Sequence, residues 1–161
     1  SRVMAAGHVV QVVQAAETAT GTVSGGAWQT IVSASITPTS TSSKIVITCN
    51  GCFSNPSSSG NLEFTTRTLS SATGAVQVGD TSGNKTSGNT VLWLGQDSAY
   101  DGVSPAWTVV DEPSSTSAVT YSLQVYGSES QSVNYNKQRQ NADAEYTIRG
   151  SSTITLMEIA Q

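Results

Sequence analysis

Runs in which every second residue is apolar follow one another along the chain, and each predicts a strand with one buried and one wet face. The cleanest is Val119, Tyr121, Leu123 and Val125, set against Thr120, Ser122 and Gln124. Trp28, Val32, Ala34 and Ile36 share a parity opposite Gln29, Ser33 and Ser35, and that run stops at Pro38. Ile45, Ile47, Cys49 and Phe53 line one face of residues 44–53, while Leu62, Phe64 and Thr66 alternate with Glu63, Thr65 and Arg67. Shorter strands are predicted at 75–78, 91–94, 106–110, 133–135 and 146–148. Two runs differ. Residues 8–15 carry paired valines, Val9/Val10 and Val12/Val13, and residues 151–160 place Ile154 and Leu156 on one face with Met157 and Ile159 on the other. Apolar side chains on both faces predict strands covered on both sides, with the last run at the centre of the fold.

About nine or ten strands at this spacing predict an all-β chain, an antiparallel β-sandwich of the jelly-roll kind. No window shows a capped helical period, and no fixed-period repeat points to a propeller or solenoid. Residues 1–7 read as a short lead and 8–161 as one domain. Residues 18–26 read as a turn-forming linker, and 79–89 and 96–105 as long loops, the first of them flexible.

Composition narrows the function classes. Ser (26) and Thr (21) make up almost a third of the 161 residues, and charged residues only 11%. The seven bases are scattered and the net charge is −4, which argues against nucleic acid as a partner. No apolar run approaches the length of a membrane-spanning helix, so no membrane insertion is expected. The opening residues lack the apolar core of a signal peptide, so any extracellular action is expected to use another route.

Candidate chemistry is sparse. Cys49 and Cys52 form a Cys-x-x-Cys within strand pattern, where no helix dipole would activate a thiol, and two free thiols, one of them buried, are expected, with a local disulfide across a bulge as the alternative. His8 is the only histidine, too few for a zinc site, and neither metal nor cofactor is expected. The carboxylates Asp97/Asp101, Asp111/Glu112 and Asp143/Glu145 could in principle join a calcium site or pair for glycoside hydrolysis, but solvated loop charges are the simpler reading. Two aromatics in or beside polar loops, Tyr100 and Tyr135, suggest binding of a sugar or protein surface. Tyr100, flanked by Asp97 and Asp101, and the loop residues Asn84 and Lys85 are the candidate binding residues. Trp93 and Trp107 lie near the same loops, with the core as the simpler assignment for both.

An ordered set of segments resembles one family: 9–14 (VVQVVQ), 28–30 with 35–46 (SITPTSTSSKIV), 78–85 (VGDTSGNK), 120–125 (TYSLQV), 133–136 (VNYN) and 152–160 (STITLMEIA). It is that of distal tail-fibre and tail-spike-like domains of tailed bacteriophages, especially those infecting cyanobacteria and other aquatic bacteria. The resemblance runs from about His8 to the end. It implies a non-enzymatic, β-rich, trimeric virion domain that binds a host-surface glycan or protein beside other virion proteins, with no catalytic residues to carry over. A capsid decoration protein and a polysaccharide depolymerase are the alternatives. The surplus of two-faced apolar strands predicts a closed symmetric oligomer, and the resemblance implies that it is a homotrimer.

Overall fold

A computed structural model describes residues 5–58, 60–95, 100–145 and 147–161. Among them are twelve strands: β1 Val9–Glu17, β2 Gly21–Val23, β3 Gln29–Ile36, β4 Lys44–Asn50, β5 Phe53–Ser54, β6 Leu62–Ser70, β7 Gly74–Ala75, β8 Thr90–Leu94, β9 Ala106–Asp111, β10 Val119–Gly127, β11 Val133–Tyr135 and β12 Ser152–Ile159. A single 3-10 turn covers Ser128–Ser130. One sheet has the order β1-β12-β4-β9. A second has β3-β10-β6, with β7 and β8 side by side along the far edge of β6. All pairings are antiparallel, and each sheet interleaves early and late strands, which is the double Greek key of a jelly roll. The strands beyond the expected nine or ten are two- and three-residue pieces, and β2, β11 and β5 form a small third sheet closing one end.

Alternation decides which face is buried. Ile45, Ile47 and Cys49 of β4 and Ile154 and Leu156 of β12 face Val32, Ala34 and Ile36 of β3 and Val119, Tyr121, Leu123 and Val125 of β10. The inner side of β6 continues from Leu62 and Phe64 into Thr66, Thr68 and Ser70, all buried. Their hydroxyls are satisfied internally: Thr68 accepts from the Trp107 indole N–H at 2.9 Å and meets Cys49 Sγ at 3.5 Å. Tyr121 donates to Asp111 Oδ2 at 2.8 Å; burial, then the carboxylate beside it, pushes its phenol well above the usual range. Both cysteines are free thiols, as expected, and burial pushes Cys49 up to about 11.

Four sequence expectations need correction. The strand through residues 44–53 breaks at Gly51, where a β-carbon would strike the Phe53 ring at 2.4 Å, so Phe53 enters the core from the small sheet. Trp28 does not share the inward face of Val32. A bulge between Thr30 and Val32 shifts the phase of β3, and Trp28 instead lies outside under Arg67, whose guanidinium sits 4.0 Å from its ring centre. Residues 147–148 are not strand, and Arg149 makes only an isolated bridge to Lys137.

The fourth concerns β1 and β12. β12 is central, as expected, but its buried side is Ser152, Ile154, Leu156 and Glu158, and among the described residues its other side is only partly covered. Register places Val12, Met157, Val46 and Val110 in one apolar row across the outer face, with Val12 58% exposed.

Two buried polar hubs fix the ends of β12. Asn136, in the left-handed region at φ 57°, donates to the carbonyls of Glu17 and Ala19 at 2.8 and 2.9 Å and accepts from Ser152 Oγ at 2.8 Å. At the other end Glu158, fully buried, accepts from Ser43 Oγ, Thr39 Oγ1 and N–H, and Gln11 Nε2 at 2.6–2.7 Å.

Candidate functional site

The outer face of the second sheet holds a groove of about 460 Å³, lined by segments far apart in sequence. β6 and β8 contribute Glu63, Thr65, Val91 and Trp93, in a register that pairs Glu63 with Trp93 and Thr65 with Val91. The alternation of β8 sends Leu94 into the core and leaves Val91 and Trp93 88% and 59% exposed. Large apolar side chains held this open to water are unusual enough to suggest a ligand. The end of β10 and the following turn add Tyr126, Ser128 and Glu129, and the loop 79–89 adds Asn84, Lys85 and Thr86.

That loop is tied down at its base. Asn89 accepts from the Thr68 N–H at 2.7 Å and donates to the carbonyls of Val76 and Gln77 at 3.0 Å, while its own N–H reaches Thr66. Gly79 bonds back to Gly88, closing the neck, and a turn from Ser82 to Lys85 forms the tip. Gly88 packs flat on β6, where a β-carbon would stand 2.0 Å from Thr65 Oγ1 and 2.6 Å from the Thr66 carbonyl. Expected to be flexible throughout, the loop has a hydrogen-bonded base that carries Asn84 and Lys85 to the groove.

Gln131, which lines a second hollow beside Asn61 and Ser132, braces the segments that carry Glu63 and Glu129. Its side chain donates to the Asn61 carbonyl at 2.8 Å and accepts from the Glu63 N–H at 3.1 Å, fixing the start of β6. Its backbone N–H donates to the Ser128 carbonyl at 2.7 Å, closing a turn in which Glu129 is left-handed at φ 47°, ψ 35°. Glu63, Lys85 and Glu129 are all exposed, and among the described residues none is in an ion pair.

Of the candidate residues, Asn84 and Lys85 line this groove. Tyr100 and Asp101 do not; they precede the Val103–Phe53 bridge, and the Tyr100 carbonyl accepts from Gln138 Nε2 at 2.7 Å. Asp97 lies outside the described residues. Trp107 packs against the core as expected, and Trp93 does not. Of the carboxylates weighed as pairs, Asp111 and Glu112 take different partners. Asp111 is buried against Tyr121 and Thr73, whereas its neighbour Glu112 is exposed and 2.9 Å from Lys44. Asp143 and Glu145 are both exposed. Comparison with protein-family models and with curated proteins found no match.

Proposed function

We propose that the chain is a non-enzymatic bacteriophage virion protein, a tail-fibre tip domain that binds a glycan of the host surface in the groove beside Trp93. The observation that carries this reading is the exposed indole of Trp93, which shares the groove with Tyr126, Asn84, Lys85 and two carboxylates. A flat aromatic face stacks on the apolar side of a sugar ring, and short polar side chains around it bond the hydroxyls. The ordered resemblance to fibre domains supports placement in the virion, and jelly rolls serve both as viral coat and as lectin modules. Trp93→Ala should lower binding to an array of bacterial surface glycans at least about tenfold, as loss of a central aromatic does, without changing the melting temperature. Retained binding by the variant would place the ligand elsewhere.

The apolar row Val12, Met157, Val46 and Val110 favours a second reading, a capsid decoration protein seated on the shell through that face. No bound glycan, together with tight binding to undecorated capsids, would select it. Assembly as a homotrimer belongs to the leading proposal, with the same row as the surface a neighbouring copy would cover. Mass measurement in dilute solution should give three chains; a monomer at every concentration contradicts the trimer.

A further inference from the structure

We infer that the groove selects a sugar carrying a protonated amine, such as an unsubstituted hexosamine unit, over neutral and acidic sugars; this rests on reading the groove as a glycan site. Two carboxylates, Glu63 and Glu129, share it with one ammonium, Lys85. Among the described residues no ion pair neutralises either carboxylate, so an entering uronic or sialic acid meets net charge of its own sign. The protein's overall −4 acts in the same direction. An ammonium meets the reverse. Glu63 is the cross-strand partner of Trp93, and such partners stand close enough to contact one ligand group together. A sugar amine bonded to Glu63 is thereby brought toward the indole face, where the ring quadrupole attracts a cation and the sugar's apolar face can stack.

Glu129 is held on the groove wall by a turn in which its backbone is left-handed, a conformation that suits glycine and costs a residue with a side chain. Asn84 and Lys85, on the loop that also lines the groove, supply N–H donors for ring hydroxyls.

Titration of the intact chain with three oligosaccharides tests the inference: a β-1,4-glucosamine hexamer, its fully N-acetylated counterpart and an oligogalacturonate. At low salt, in buffer acidic enough to protonate the amine, the free-amine hexamer should bind about tenfold more tightly than the N-acetylated one, the combined size of an exposed charge pair and a cation–π contact. Oligogalacturonate should bind least. Glu63→Gln and Glu129→Gln should each narrow the amine preference, as should added salt. Both residues are exposed, and Glu129→Gly should leave the melting temperature unchanged or raised while narrowing the preference in the same way. Equal affinity for the two hexamers overturns the amine inference and leaves the glycan reading standing. Amine binding that survives Trp93→Ala overturns both, and absence of binding to all three probes overturns the inference.

Discussion

Deleting residues 152–161 should leave the chain without a cooperative fold. Among the described residues β12 joins β1 to β4, so its loss opens both edges at the middle of the first sheet. Ile154 and Leu156 are fully buried, and each such side chain contributes about 1.5–3 kcal/mol. Ser152, which bonds Asn136, and Glu158, which gathers the 39–43 turn, leave with them. Their combined contribution rivals a whole domain's net stability of roughly 5–15 kcal/mol. Thermal unfolding followed by circular dichroism checks this: the shortened chain should show no transition. A melt matching the parent would show that β12 is peripheral.

Glu158→Ala should be among the most damaging single substitutions in the same strand, costing about 1–3 kcal/mol, because it removes the acceptor of four donors, the buried Ser43 hydroxyl among them. Burial alone would raise the Glu158 pKa, but the hydrogen bonds from Ser43, Thr39 and Gln11 outweigh it and hold the carboxyl below its usual range. The sign of the pH effect follows. A depressed folded-state pKa adds stability above the unfolded value, near 4.5, and that contribution disappears as pH falls through the lower folded value. The native protein should therefore lose melting temperature on acidification below about pH 4.5. Glu158→Gln keeps the shape and an acceptor for Thr39 and Ser43, so its loss at neutral pH should be smaller, and its acid slope should be shallower than the native one. Parallel slopes would mean that other carboxylates control acid unfolding.

Where alternation was long and uninterrupted, it was sufficient to find the fold. β10 shows its inner face directly in the order of apolar and polar residues. It failed where register is set by partners rather than by pattern. β2 and β7 are too short to carry a period, and the bulge in β3 that turns Trp28 outward leaves no mark among Thr30, Ile31 and Val32. Val12/Val13 and Leu156/Met157 could not say which member faces the core, since both are apolar. The groove was legible only at Asn84 and Lys85, because loops with short polar residues are recognisable locally. Glu63, Trp93, Tyr126 and Glu129 meet through the pairing of β6 with β8 and β10, which no local signal records. The one available hint was the apolar run 91–94, whose length hid that every other side chain faces water.

The groove beside Trp93 as the ligand site is tested most directly by chemical-shift mapping of the 15N-labelled chain titrated with bacterial surface polysaccharide. Saturable shifts should concentrate on the Trp93 indole N–H and on the backbone N–H groups of Glu63, Lys85, Tyr126 and Glu129. Shifts confined instead to Tyr100, Asp101 and Val103, or to the outer row of Val12, Val46, Val110 and Met157, would contradict it.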